Sequence, residues 1–247
     1  MEYQLDAFQW GLALSAAFIL GLSKAGLKGI SVLLVTIMVY AFGGKASTGV
    51  LLPMLIMGDI FAVWYYNRYA QWSYLFKLLP WMLVGVLIGV WTGKDVPEAL
   101  FKQVIAVIIL GSVVLMLWWE RRKDRNIPTQ WWFAGPMGLA AGFTTMIGNL
   151  AGPISNIYFL AIRLPKDQFI GTAAWLFFIV NLFKLPFHIF VWKTVSYETL
   201  VLNLKLMPGI AVGLLLGIQV VKLIKDQQYR YLILFLTALA AAMIFFR

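Results

Sequence analysis

Apolar residues along the chain fall into ten long runs separated by short polar or glycine-rich stretches. Several runs reach about 20 residues, which is the length of a helix that spans the core of a bilayer. The pattern therefore predicts an all-α, polytopic helical membrane protein. The runs lie at roughly 7–22, 29–42, 46–66, 73–93, 98–119, 131–147, 149–162, 168–191, 200–222 and 229–246.

Composition agrees with this class and excludes several others. Of the 247 residues, 62% are hydrophobic and 12% are charged, whereas soluble domains carry about 45–50% and about 25%. The formal charge of +10 is explained by basic loops held on one side of a membrane, so no nucleic-acid partner is needed. With no Cys and one His, thiolate and multi-histidine sites are excluded, and we expect neither a metal nor a cofactor.

The chain divides into two similar halves. A basic linker at 121–130 separates a first transmembrane repeat, 1–120, from a second, 131–247, and each repeat holds five runs. The N-terminus, MEYQLD, lacks the basic start of a signal peptide, so we expect the first helix to remain in the protein. Matched residues of the fourth and ninth runs show the repeat: Pro80, Gly85 and Gly89 recur as Pro208, Gly213 and Gly217.

Loop charges indicate how the repeats are oriented. The first two runs of each half either return to their starting side as a hairpin or cross once as a broken helix. Hairpins place 10 Lys and Arg on one face and 5 on the other, whereas single crossings give 8 and 7. Hairpins, whether re-entrant or fully spanning, agree better with the positive-inside rule. The repeats are then inverted, with a cytoplasmic linker and both termini in the periplasm.

The first two runs of each half are interrupted by small and polar residues, at 23–29 and 144–149. Unwound backbone in hydrocarbon leaves amide and carbonyl groups unpaired, so these breaks must face protein or a water-filled cavity. Where a helix restarts near Gly26 or Gly152, its free N–H groups and its dipole favour an anion. Paired breaks point to a binding site between the repeats, although each glycine could instead serve close helix packing.

Two charged residues are predicted to lie within the membrane. Asp59 belongs to the third run, and Lys184 occupies the corresponding region of the eighth. A charge at mid-bilayer costs about 2.5–3.5 kcal/mol, so each needs a partner, a cavity or a function. Inverted repeats would bring these runs together and predict an Asp59–Lys184 pair, either structural or used for substrate or proton coupling. His188 could titrate near neutral pH and couple protons, or form a helix–helix hydrogen bond.

Polar side chains near the breaks are candidates for contacting the anion. Lys24 lies within the first break, and Lys28 lies one turn later, although both ammonium groups could instead reach the interface. Asn149 and Asn156 lie on similar faces of one helix and offer amides. The candidate substrate-binding residues are Lys24, Gly26, Thr144, Thr145, Asn149, Gly152, Asn156 and Lys184, and the candidate coupling or ion-pair residues are Asp59, Lys184 and His188.

Six short motifs stand out, two in the first half and four in the second. They read GLSKAG at 21–26, GVLLP at 49–53, GFTT at 142–145, NLAGP at 149–153, GTAAW at 171–175 and NLFKLP at 181–186. Their order, spacing and duplication resemble the sulfite exporter TauE/SafE family over almost the whole chain. The resemblance implies a transporter of sulfur-containing anions, such as sulfite, sulfoacetate or other organosulfonates, in the bacterial inner membrane.

We therefore expect a secondary transporter that exports a small anion by alternating access, with the substrate at the two breaks. An uptake permease for a related anion would carry the same residues. A membrane-embedded enzyme for a lipid or isoprenoid substrate needs a nucleophile with a base, or carboxylates with a metal, which this residue inventory does not offer. The expected partners are the small anion and the lipid bilayer, and the sequence leaves open whether the chain forms a homo-oligomer.

Overall fold

The computed structural model describes residues 5–121, 131–226, 228–229, 231–233 and 235–236, and among these it contains helices and no strand. These residues also include a 3₁₀ turn, Asn67–Tyr69, and a π-helical segment, Phe187–Val191. The predicted all-α class is confirmed. The helices are α1 (Ala7–Lys24), α2 (Ser31–Phe42), α3 (Gly44–Tyr66), α4 (Trp72–Gly93), α5 (Glu98–Arg121), α6 (Trp131–Gly148), α7 (Ala151–Ala161), α8 (Lys166–Pro186) and α9 (Tyr197–Leu223), with further helical residues between 226 and 236.

Five helices in the described part of the chain are long and apolar enough to cross a membrane: α1, α3, α4, α8 and α9. The polytopic membrane class is thus confirmed. By contrast, α2 has 12 residues and α7 has 11, which at about 1.5 Å per residue gives lengths of about 16–18 Å. The hydrocarbon core is about 30 Å thick. The second helix of each pair therefore has the length of a re-entrant segment rather than of a full span.

The observed helix ends agree with the sequence pattern, except at the second break. There α6 continues to Gly148 and only residues 149–150 are non-helical. Thr144 and Thr145, predicted within the interruption, lie instead in the last turns of α6. The Thr144 hydroxyl donates to the carbonyl of Ala141 at 3.2 Å, so the hydrogen-bond donor of this side chain has a partner on its own helix. Residues 122–130 of the predicted linker lie outside the described residues, and the domain division stays a prediction.

Glycines bring helices of the two halves into close contact. In the pairing of α1 with α9, a Cβ added at Gly213 would lie 2.1 Å from the carbonyl oxygen of Phe18. In the pairing of α4 with α6, a Cβ added at Gly142 would lie 2.0 Å from the carbonyl oxygen of Met82. Between these two pairs, α3 packs against α8. Equivalent helices are thus exchanged between the halves, as a two-fold relation requires. The inverted orientation itself stays a prediction.

Two matched lysines close the ends of matched helices. The ammonium of Lys45 donates to the carbonyl of Lys94 just after α4, at 2.5 Å. The ammonium of Lys166 donates to the carbonyl of Ile224 just after α9, at 2.6 Å. A cation at a helix C-terminus satisfies orphan carbonyls and complements the negative end of the dipole. The sequence repeat therefore extends to the contacts that terminate α4 and α9.

Candidate functional site

The two helix breaks depend on residues that adopt left-handed backbone conformations. Between α1 and α2, Gly26 has φ 124° and Gly29 has φ 103°. Between α6 and α7, the chain turns at Asn149, with φ 57°. Glycine reaches this region without steric cost, and asparagine is among the side chains that tolerate it. The sequence therefore forms a longer glycine turn in the first half and a tight asparagine turn in the second.

Both short helices begin at the same cavity. Ser31, the first residue of α2, and Ala151 and Gly152, the first residues of α7, line it together. Neither helix has a side-chain cap at its N-terminus. Uncapped N-terminal N–H groups and the positive ends of two helix dipoles therefore face one space, an arrangement that favours an anion.

The cavity is small. Its volume is about 40 Å³, and one water molecule needs about 10–15 Å³ on this measure. It can therefore hold a few water molecules or one small anion. Its polar lining residues come from α1, α2, α6, α7, α8 and the two breaks: Ser23, Lys24, Lys28, Ser31, Thr145, Asn149, Asn156 and Asn181.

One end of the cavity is defined by a buried ion pair. The Lys24 ammonium lies 2.5 Å from Oδ1 of Asp59. The other carboxylate oxygen, Oδ2, accepts a hydrogen bond of 2.7 Å from the amide of Asn181. Asp59 has no exposed surface, and Lys24 is 5% exposed. Because each oxygen of the carboxylate has a donor, the charge of Asp59 is compensated within the protein.

A second lysine is held by amide and hydroxyl oxygens rather than by a carboxylate. The Lys184 ammonium donates to Oδ1 of Asn149 at 2.5 Å, to Oγ1 of Thr145 at 3.2 Å and to Oδ1 of Asn181 at 3.3 Å. Lys184 is completely buried. It therefore joins α8 to the second break, and within the described part of the chain it forms no ion pair with a carboxylate.

The third buried lysine, Lys28, has the fewest partners. It lines the cavity and is 4% exposed. Within the described part of the chain, its ammonium forms no ion pair and lies 5.6 Å from the ring centroid of Phe177. The Lys24 ammonium lies at the same distance from that ring. A buried ammonium held only by an aromatic face is available to an incoming anion.

Comparison with known families agrees with this geometry. The family model described as sulfite exporter TauE/SafE matches residues 13–244. This match covers nearly the whole chain and contains both breaks.

The chain belongs to the sulfite exporter TauE/SafE family.

Comparison with curated proteins and with solved structures found no match. The resemblance in the sequence is therefore confirmed at the family level. As a TauE/SafE member, the chain is a multi-pass membrane protein of a transporter family named for sulfite.

The TauE/SafE fold brings most of the predicted site residues together. Five line the cavity: Lys24, Thr145, Asn149, Gly152 and Asn156. Lys184 does not line the cavity itself but donates hydrogen bonds to two residues that do, Thr145 and Asn149. Their role in binding stays a prediction.

Besides Asp59 and Lys184, three predicted residues do not line the cavity. Thr144 donates to backbone carbonyls, and Gly26 accepts a hydrogen bond from the Tyr229 hydroxyl through its own carbonyl. His188 lies in the π-helical segment, with its Nδ1 2.8 Å from Oγ1 of Thr194 and its Nε2 without a partner among the described residues. These residues support the walls of the protein around the site, and the coupling role of His188 stays a prediction.

The predicted Asp59–Lys184 ion pair is wrong. The helices that carry the two residues do pack together, but the Asp59 carboxylate pairs with Lys24, and Lys184 bonds to Thr145 and the two asparagines. Asn181 lies between the two charges, donating to Asp59 and accepting from Lys184. The two residues therefore interact through an amide rather than directly.

Two residues that contribute to the site were not among the predicted binding residues. Lys28 was a weaker candidate than Lys24 and was left out of the predicted binding residues, because a lysine near a helix end commonly reaches the interface. Asn181 belongs to the same apolar run as Lys184 and was not singled out as a binding residue. A usable signal existed for Asn181: a polar side chain three residues before Lys184 on one helix lies on the same face.

Proposed function

We propose that this TauE/SafE protein is a secondary transporter that exports a small sulfur-containing anion, such as sulfite, sulfoacetate or another organosulfonate, across the bacterial inner membrane. The observation that carries the proposal is the convergence of Lys24, Lys28 and the uncapped N-termini of α2 and α7 on one buried cavity. Each element attracts negative charge, and together they form a site whose chemistry matches an oxyanion.

The buried charges support the same conclusion. Among the described residues around the cavity, three buried lysines, Lys24, Lys28 and Lys184, stand against one buried carboxylate, Asp59. Three positive charges less one negative charge leave two uncompensated positive charges when all four groups are ionised. Uncompensated charge in a low-dielectric interior is costly. A bound anion reduces this cost, so the empty site is the less favourable state.

The two halves provide a means of alternating access. Each half contributes one break to the site, and the α3–α8 contact lies between the exchanged helix pairs α1–α9 and α4–α6. We propose that the halves move relative to each other around the cavity, with both termini in the periplasm. Export of an anion from a cell with a negative interior can run on membrane potential, at about 2.3 kcal/mol per charge per 100 mV.

Counterflow of radiolabelled sulfite in proteoliposomes tests this function. Wild-type protein should accumulate label against preloaded unlabelled sulfite, and Lys28→Gln should lose at least about tenfold in rate because the amide carries no charge. Lys102→Gln is the matched control, since Lys102 is exposed and pairs only with Glu98 at 3.7 Å among the described residues.

Three results decide the proposal. Loss in Lys28→Gln with wild-type rates in Lys102→Gln supports it. Equal rates in all three proteins would remove the cavity from the pathway. Absence of wild-type counterflow with sulfite, sulfoacetate and other sulfonates would reject the substrate class. Right-side-out and inside-out vesicles with an imposed potential then separate export from uptake.

A further inference from the structure

A second concave site lies between α3 and α9, apart from the anion cavity. This groove has a volume of about 280 Å³ and is lined almost entirely by apolar and aromatic side chains. On α3 its lining runs from Phe61 to Tyr66, and on α9 from Ala211 to Ile218. Trp64 and Leu215 at its rim are 76% and 64% exposed. Both helices are membrane spans, so the groove opens toward lipid rather than toward water.

A cation lies at one end of the groove. Lys222 follows Ile218 by one turn of α9, and its ammonium is 5.9 Å from the ring centroid of Tyr65, which lines the groove. Arg68 lies in the 3₁₀ turn that follows α3, with its guanidinium 4.8 Å from the ring of Tyr69. Neither cation forms an ion pair in the part of the chain that the structure describes.

The depth of these residues fits the layers of a membrane. Lys222 and Arg68 each lie within the last two residues of a span, Tyr197–Leu223 and Gly44–Tyr69. Exposed Trp64 stands nearby, and aromatic residues of this kind mark the headgroup level. The cations therefore lie at the headgroup level, and the groove extends along eight residues of α9, a rise of about 10 Å, into the acyl-chain region.

We propose that the groove binds an anionic phospholipid, with one acyl chain between α3 and α9 and its phosphate at Lys222 and Arg68. Charge complementarity selects the anionic class, since a zwitterionic lipid offers the same acyl chain but no net charge to the two cations. Because α3 and α9 belong to different halves, a lipid bound here bridges the two halves.

Native mass spectrometry of the full-length protein tests the proposal. The protein is released from detergent micelles that contain both phosphatidylglycerol and phosphatidylcholine. Wild-type monomer should retain phosphatidylglycerol in preference to phosphatidylcholine. Lys222→Gln should lower the retained phosphatidylglycerol about fivefold. Ala211→Trp fills the groove and should lower the retention of both lipids. Lys94→Gln, an exposed lysine after α4, and Val212→Trp, whose side chain is 50% exposed and does not line the groove, are the matched controls.

Each outcome decides the question. The site is supported if Lys222→Gln loses the preference for phosphatidylglycerol and Lys94→Gln keeps it. This result is sufficient even if Ala211→Trp fails to fold. Equal retention of both lipids by wild-type protein overturns it, as does equal loss in the matched controls. A lipid-free dimer that Ala211→Trp converts to monomer would show that a second copy occupies the groove, and would also overturn it.

Discussion

Lys24 and Asp59 form a buried ion pair that joins α1 to α3, with Nζ and Oδ1 2.5 Å apart. The pair is possible because the residue before Asp59 is a glycine: a Cβ at Gly58 would lie 2.8 Å from Cγ of Lys24. The lysine stem therefore passes over Gly58 to reach the carboxylate. This contact fixes the end of α1 just before the first break, and so positions one wall of the anion cavity.

Removing one partner of this pair should destabilise the protein strongly. Asp59→Asn leaves Lys24 beside two other buried lysines, and stranding one charge of a buried pair costs about 3–5 kcal/mol. The double variant Lys24→Gln with Asp59→Asn should recover most of the loss, because neither charge is then stranded. Thermal unfolding in detergent compares the melting temperatures of the wild type, Lys24→Gln, Asp59→Asn and the double variant. Additive effects of the two substitutions would contradict a coupled pair.

The helices were predictable because long apolar runs and glycine breaks follow directly from membrane physics. The packing of α3 against α8 was predictable as well, since the repeat makes them counterparts. The partner of Asp59 was not. Lys24 and Lys184 are both lysines within reach by sequence, and the choice depends on Gly58 leaving room for one stem, while Asn149 and Thr145 hold the other ammonium.

The burial of Lys28 could not be predicted for a different reason. A lysine beyond a helix end is buried only if the following helix turns back into the protein, and that depends on tertiary packing. Two tyrosines far along the chain hold this turn: the Tyr66 hydroxyl donates to the carbonyl of Ala25 at 2.8 Å and the Tyr229 hydroxyl to that of Gly26 at 2.5 Å. Long-range contacts of this kind leave no local pattern in the sequence.

Asn156 should affect substrate affinity without supporting the fold. It is 1% exposed, lines the cavity and has an Oδ1 with no hydrogen-bond partner among the described residues. Asn156→Leu should raise the KM for sulfite about tenfold, because it removes the amide N–H donor that can bond an oxyanion, and a lost hydrogen bond to a charged group costs about 1.5–3 kcal/mol. The melting temperature should not fall. Ser155→Ala, whose buried hydroxyl does not line the cavity, should leave both quantities unchanged.

The helices α4 and α6 cross so closely that adding one methyl group at the crossing should disrupt their packing. Gly142→Ala would place its Cβ 2.0 Å from the Met82 carbonyl oxygen, so the two helices must separate and their packing is lost. We expect little folded protein by size-exclusion chromatography. Gly11→Ala is the control, because nothing lies within 4 Å of its added Cβ. A monodisperse Gly142→Ala protein would show that the helices can separate at little cost.

Labelling of single cysteines should reveal the orientation of the repeats. The chain has no native Cys, so a membrane-impermeant maleimide has no background. Lys94→Cys and Lys225→Cys place exposed thiols after the matched helices α4 and α9. Inverted repeats put the ends of matched helices on opposite sides, and the loop charges assign Lys94 to the periplasm and Lys225 to the cytoplasm. Reaction of both thiols from one side would establish parallel repeats instead.

The charge of the substrate should matter more than its sulfur chemistry. With all four groups ionised, Lys24, Lys28 and Lys184 against Asp59 leave two positive charges around the cavity, so in that state a doubly charged anion balances the site and a singly charged anion leaves one charge uncompensated. Such a charge costs about 2.5–3.5 kcal/mol in a membrane interior. Sulfoacetate, with two negative charges, should therefore inhibit sulfite counterflow at least about tenfold better than methanesulfonate, which has one. In Lys28→Gln, with one positive charge removed, the singly charged methanesulfonate balances the site and should become the better inhibitor of the two. Equal inhibition by both compounds in wild-type protein would show that the buried lysines do not select for charge, while leaving transport of sulfite itself unaffected.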